Sequence, residues 1–262
     1  MTLYRHEMKM NRKSLIIWTL SVGILCLGCI LLYTSLEDSL KDMADAYSNM
    51  GAMSTALGMD KLSIATLVGF YATEVGMMFG LGGAMYAAIL GTTLVSKEEA
   101  GHTAEFLNVF PVGRANIILQ KYLALISNIL IFNLVCVGLC LIGFVTMGEE
   151  IPGKEMLLYH SALLLMQIEI GTICFAISAS VKKNLIGPGL GIAILAFAAD
   201  LMCRIIPAIE NLKYITPFYY ANAADIFTTQ SLDAPLILVG ILITLAALAV
   251  SFLTYTRKDM AS

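Results

Sequence analysis

Apolar residues run through this chain in six long blocks, near 14–36, 67–96, 117–147, 156–181, 184–207 and 234–256, parted by polar connections. Each is long enough to supply the roughly 20 helical residues that cross the hydrocarbon core of a bilayer. The second and third exceed a minimal span and are expected to tilt or to project beyond it. Lipid offers backbone N–H and C=O groups no hydrogen-bond partner, so the spans must be helical or form a closed barrel. A barrel would read as short alternating strands, which this pattern does not contain. The reading is an all-α polytopic membrane protein with six transmembrane helices and a single domain over residues 1–262. The first block follows basic residues, as a leader peptide would. It is long and no small-residue cleavage site follows closely, so it is read as a retained span.

Composition agrees with this pattern. The chain is 58% apolar and only 13% charged, with mean hydropathy +0.82; a water-soluble domain would carry about 25% charged residues. A net charge of −3 without a dense basic patch points to no nucleic-acid partner. The cations are placed unevenly. Arg5, Lys9, Arg12 and Lys13 precede the first span, Lys97, Arg114 and Lys121 flank the second connection, Lys182 and Lys183 sit in the fourth, and Arg257 and Lys258 follow the last span. These eleven share one face, leaving Lys41, Lys61, Lys154, Arg204 and Lys213 elsewhere. The positive-inside rule makes both termini cytoplasmic. The stretch LYRHEMKMNRKS before the first span is expected either to lie along the inner leaflet or to be an unstructured basic flank. Beyond that span, Leu36, Leu40, Met43, Tyr47 and Met50 recur at helical spacing and predict an amphipathic helix on the outer surface.

The second connection, SKEEAGHTAEFLNVFPVGR over 96–114, mixes charge with large apolar residues. Glu99, Thr103, Phe106 and Phe110 fall at helical spacing with Leu107 alongside, and Pro111 and Gly113 end the pattern. A two-turn cytoplasmic helix presenting Phe106, Leu107 and Phe110 suits a groove on a soluble partner or the lipid surface. Glu98, Glu99, His102 and Glu105 also share helix faces, but one imidazole is a poor zinc set, and solvated charge explains them better. GEEIPGKE, from Gly148, has the glycine and lysine spacing of a phosphate loop. It ends in Glu155 where a magnesium-binding hydroxyl is needed and follows a membrane span, so it is read as a turn. Two cysteine pairs, Cys26 with Cys29 and Cys136 with Cys140, lie inside spans and are read as small apolar residues.

The pattern E-E-x(3)-T-A-E-F-L-x(3)-P-V-x-R, followed by Lys121 at the opening of a span, resembles the permeases of type-2 ATP-binding-cassette exporters. In that family a membrane helix runs into a short cytoplasmic coupling helix reading roughly G-T-x-E-x-L and then P-V-x-R. Thr103, Glu105, Leu107, Pro111, Val112 and Arg114 match it; the glycine before the threonine is His102 here, with Gly101 one place earlier. HEMKMNRKSLIIW at 6–18 and YITPFYYANAADIF at 214–227 resemble the family's entry and its outer segment before the sixth helix. The resemblance implies a coupling helix between helices 2 and 3 and an ATPase interface made by Glu98, Glu99, His102, Thr103, Glu105, Phe106, Leu107, Phe110, Pro111 and Arg114. It implies partners as well: a separate ATP-binding-cassette ATPase that carries ATP and magnesium, and a second permease, identical or related. This chain itself would bind no cofactor, would not be an enzyme, and would sit in a bacterial cell membrane.

Polar residues inside the spans are the candidates for a translocation path, because a charge near the bilayer centre costs about 3 kcal/mol and must face protein or water. They are Glu74 in the second span, Gln167 and Glu169 in the fourth, and Asp200 and Arg204, one turn apart and expected to pair, in the fifth. Glu169 has no opposite charge in its own helix; it serves either the path or a bond to a neighbouring helix. Gly76, Gly80, Ala84 and Ala88 form a small-residue stripe with Gly83 and Gly91 near it, suited to packing within one bundle or between two copies. GPGLG at 187–191 is expected to kink the fifth span. The rival classes are a transporter driven by an ion gradient, with Glu169 or Glu74 as proton carrier, and an intramembrane enzyme. No paired broken repeats and no nucleophile–base set support them.

Overall fold

The structure, a computed structural model, describes residues 2–101, 112–183 and 185–258. Within them the chain is helical, with no strand. Six helical stretches are long and apolar enough to cross a membrane: Thr2–Ser48, Leu67–Leu94, Arg114–Met147, Gly153–Ser180, Ile186–Ile205 and Ala234–Arg257. We number the helices α1 (Thr2–Ser48), α2 (Ala52–Leu57), α3 (Leu67–Phe70), α4 (Gly76–Leu94), α5 (Ser96–Ala100), α6 (Arg114–Met147), α7 (Gly153–Ser180), α8 (Ile186–Ile205), α9 (Ala223–Thr229) and α10 (Ala234–Arg257). A π-helical turn, Tyr71–Val75, joins α3 to α4, and a 3-10 stretch, Pro207–Tyr214, follows α8.

Local chemistry sets the ends. Thr66, Asn222 and Asp233 cap α3, α9 and α10, each accepting a bond from the N–H three residues on. Gly148 ends α6 in the left-handed region (φ 71°), where glycine alone is unstrained, and its N–H returns to the last turn. Of the stretch GEEIPGKE, read as a turn, Gly148 to Pro152 is non-helical while Gly153, Lys154 and Glu155 open α7. In the bundle, α4 and α7 form the centre, α1 lies along α6, and α10 and α8 cover opposite sides of the pair. The outward faces carry exposed leucines and isoleucines such as Ile17, Leu134, Leu195 and Leu242, as lipid-facing surfaces do.

The small-residue stripe falls on the α4–α7 seam. A Cβ at Gly76 would lie 3.3 Å from the Tyr159 hydroxyl, one at Gly83 2.2 Å from Gln167 Nε2, and one at Gly91 2.3 Å from the Gly171 carbonyl oxygen. The stripe therefore packs within one bundle.

Three expectations need correction. Residues 3–14 are not an unstructured flank: they belong to the first turns of α1, docked on α6. Tyr4 donates from its N–H to Gln120 Oε1 and from its hydroxyl to Ser127 Oγ, both at 3.0 Å. Residues 36–48 form no separate outer helix; they continue α1, because no proline interrupts the helix and Lys41 pairs with Glu37 one turn away at 2.6 Å. The helix is about 70 Å long, at 1.5 Å per residue. The fifth span is also unkinked at Pro188, which lies in the first turn of α8, where backbone N–H groups have no intrahelical partner to lose.

Candidate functional site

The polar groups gather at two ends of the bundle. At the end carrying the termini, α4 stops at Leu94 and the chain turns through Val95 into the short α5. Ordinary helical bonding fails there, and neighbouring helices supply the partners. Ser178 of α7 accepts from the N–H groups of Val95 (3.2 Å) and Ser96 (2.9 Å) and donates to the Thr92 carbonyl at 2.8 Å. Lys121 of α6 donates to the Leu94 carbonyl at 2.7 Å. The joint between the second span and the 97–114 connection is thus fastened to the third and fourth spans.

Lys121 does more than cap that carbonyl. Its ammonium, fully buried, also donates to Glu7 Oε1 at 2.8 Å and to Glu98 Oε1, and Lys97 closes the cluster on Glu7 Oε2. Glu7 is buried as completely as Lys121, and Glu98 nearly so. Burial raises the Glu98 carboxyl above its ordinary range by more than Lys121 lowers it. Glu99, alongside, pairs with Lys258 at 2.9 Å, and Lys258 also donates to the Val181 carbonyl at 2.9 Å. Arg114, opening α6, donates to the carbonyls of Thr256 (3.3 Å) and Lys258 (2.7 Å) at the end of α10. Both margins of the connection are therefore tied down, the first to segments near both ends of the chain and the second to the end of α10. Its centre, with His102, Thr103, Glu105, Phe106, Leu107, Phe110 and Pro111, lies outside the described residues.

The five intramembrane candidates fall in four separate places. Gln167 is buried against α4 and α6, accepting from Asn133 Nδ2 at 2.6 Å. Glu169, two residues on and therefore about 200° round the helix, faces the other way and accepts from the Tyr220 hydroxyl at 2.9 Å. Gly240 of α10 covers that pair so closely that a Cβ there would be 2.6 Å from Glu169 Oε2. Glu74, half-buried in the π-helical turn, makes no hydrogen bond or ion pair among the described residues.

Asp200 and Arg204 pair as expected, Nε to Oδ1 at 2.9 Å, at the bundle end opposite the termini. Arg204 continues to Asp225 of α9 at 2.7 Å, and Asp225 to Lys61 at 2.5 Å. The guanidinium also lies 4.4 Å from the centre of the Tyr219 ring and donates to the Tyr219 carbonyl. Burial opposes ionisation of Asp225, but Arg204 and Lys61 outweigh it and hold the carboxyl below its ordinary value.

Sequence reasoning used Lys121 as an orientation marker and as part of the family pattern, and gave no role to Glu7, Ser178, Asp225 or Tyr220. Glu7 carried a signal: it is the only acid among the first thirteen residues, amid four lysines and arginines. Lys121 carried another, as a cation four residues inside a predicted span. Ser178 and Tyr220 carried none, since each acts on a distant segment.

Comparison with known proteins places this architecture. No curated protein matches the chain. The family model described as ABC-2 family transporter protein matches residues 1–260, the family of membrane permease components that normally work with an ATP-binding-cassette partner. With a match over nearly its whole length, this multi-pass membrane chain belongs to the ABC-2 transporter family.

Proposed function

We propose that this permease is half of the translocation pathway of an ATP-driven exporter, and that a separate ATPase docks on it through residues 97–114. A second permease, identical or related, completes the pathway. ATP and magnesium belong to the ATPase, and this chain binds neither. Both termini face the cytoplasm with the connection, in keeping with the eleven cations near that end.

The observation that carries this reading is the joint at Leu94–Ser96. Force applied to the connection reaches the second span directly, the third through Lys121 and the fourth through Ser178. Phe106, Leu107 and Phe110 are the expected anchors in the ATPase groove, with Glu105, His102 and Thr103 polar contacts beside them. Glu98, Glu99 and Arg114 hold the segment's margins to the bundle. The ATPase then shifts the bundle between two states by binding them differently.

The test is gentle purification from the native membrane. A stoichiometric ATP-binding chain should accompany the wild type and be lost from the Phe106→Ala, Phe110→Ala double variant. A well-folded wild type that comes down alone would overturn the assignment.

A further inference from the structure

We propose that Glu7 is a positioning residue for coupling: through Lys97 and Lys121 it makes α1 move as one body with the segment that leads from the second span into the ATPase-docking connection. This rests on the function proposed above and adds a second route by which movement enters the bundle.

The geometry is specific. Glu7 uses both carboxylate oxygens, one on Lys97 of α5 and one on Lys121 of α6, while Lys121 holds Glu98 of α5 and the last carbonyl of α4. The first span is thereby joined to the exit of the second by charge. Charge matters here because Glu7 and Lys121 are wholly buried. Sliding α5 away from α1 would take Lys97 from the buried Glu7 and Glu98 from the buried Lys121, leaving each buried ion one partner short, which costs more than separating two apolar surfaces. The link is therefore stiff in the direction in which a docking segment would be pushed.

The output of such a link is set by α1 itself. Tyr4 and Met8 dock the same turns on α6, Met8 through the Asn128 side chain. From there the helix runs unbroken to Ser48, at the opposite end of the bundle. The chain then turns at Gly51 into α2, whose Ser54 hydroxyl donates back to the Ser48 carbonyl at 2.9 Å. Gly58, in the left-handed region at φ 73°, packs so tightly on α9 that a Cβ would be 2.2 Å from that of Ala224, and Lys61 follows with its ion pair to Asp225. A tilt imposed at Glu7 is delivered by a continuous rod to the cap at the far end. A π-turn interrupts the second span, so α1 is the stiffer of the two ways there.

The experiment uses the permease with its co-purified ATPase in lipid nanodiscs and follows backbone hydrogen exchange with and without ATP, magnesium and vanadate. In the wild type, trapping should change exchange both at 96–100 and at 45–57. In Glu7→Gln the change at 45–57 should fall about fivefold or more, the lower range of ordinary coupling factors, while the change at 96–100 persists. Lys97→Met, at a partly exposed position and with the Glu7–Lys121 pair intact, should give a smaller loss of the same kind; it decides the matter if Glu7→Gln does not fold. A merely structural Glu7 would alter exchange equally with and without nucleotide, which overturns the proposal. A wild type that responds at 96–100 alone, or variants that keep the far response, also overturn it and leave the permease reading intact. A wild type that responds at neither place overturns both.

Discussion

Lys121 shows how one side chain can be read two ways. As a cation near the start of a span it helps set orientation, but buried among two carboxylates and a carbonyl it is the hub of the end that carries the termini. Removing one member of a buried ion cluster is harsher than removing several, because it strands charge in a medium of low polarity. Lys121→Met should therefore destabilise the purified permease by about 3–5 kcal/mol, seen as a lowered midpoint of thermal unfolding in detergent. The Glu7→Gln, Lys121→Met pair should cost less than the sum of its parts; strict additivity would mean that the two do not interact. Glu169 is held differently, by one neutral donor. Tyr220→Phe deletes that hydroxyl and should cost about 1–3 kcal/mol, the desolvation penalty of a buried polar group left short of a partner. A midpoint equal to wild type would mean that water replaces the hydroxyl. Of these partnerships only Asp200–Arg204 was legible in the sequence, because its members are one helical turn apart. Glu7–Lys121 spans 114 residues and Glu169–Tyr220 spans 51, and no local rule reaches that far.

Helices were the most legible level, for a physical reason: lipid permits few alternatives, so six long apolar blocks had to be six spans. Their ends were less so. The first span overran both its predicted limits because the apolar block ends where lipid ends, whereas the helix ends only at a breaker, here Gly51 after Ser48. Pro188 misled in the opposite sense: a proline inside an apolar run suggests a kink, but the helix begins so late that the ring meets only free N–H groups. The small-residue stripe was correctly assigned to close helix contact, and the structure names the partner as α7. Gly91→Ala is the sharpest test of that seam, since its Cβ would meet a backbone carbonyl, which cannot rotate away. Overpacking of this kind costs about 1–3 kcal/mol, and the yield of folded protein should drop; Gly187→Ala, with nothing within 4 Å, should be tolerated. At the joint, Ser178→Ala leaves two N–H groups without their acceptor. Exchange at Val95 and Ser96 should accelerate, and unaltered protection there would argue that Ser178 is dispensable to the joint.

For the molecule as a whole, the two charged clusters sit at opposite ends of one helical bundle and do different work. The cluster around Lys121 ties together segments that the proposed coupling must move in concert. The chain Asp200–Arg204–Asp225–Lys61 ties α8 and α9 to the segment after α2, and so fastens the cap at the far end. A cap fastened by ion pairs is held only while its carboxylates are charged, which makes it titratable. Asp225 is the group to follow. Its carboxyl is held below its ordinary value of 3.8 because Arg204 and Lys61 outweigh its burial. In the folded protein it therefore gives up its proton at lower pH than in the unfolded chain. The stabilisation it lends is complete above about pH 4 and is lost as pH falls through the depressed value. Asp225→Asn removes that linkage. The variant should unfold at a lower temperature than wild type near neutral pH, and the gap should close as the solution is acidified below pH 4. Carboxylates remote from Arg204 titrate in both proteins and cancel in the comparison, so the convergence reports on the linked ion pairs of Asp225, Arg204 and Asp200. A gap that stays constant with pH would show that Asp225 holds the cap by shape and hydrogen bonding, not by its charge. If the convergence appears, the same acidification should speed exchange in residues 52–61 of the wild type before the spans themselves open, because that carboxylate is one of the ties, with the packing of α2 on α8 and the contact of Gly58 with Ala224, that hold this segment to the bundle.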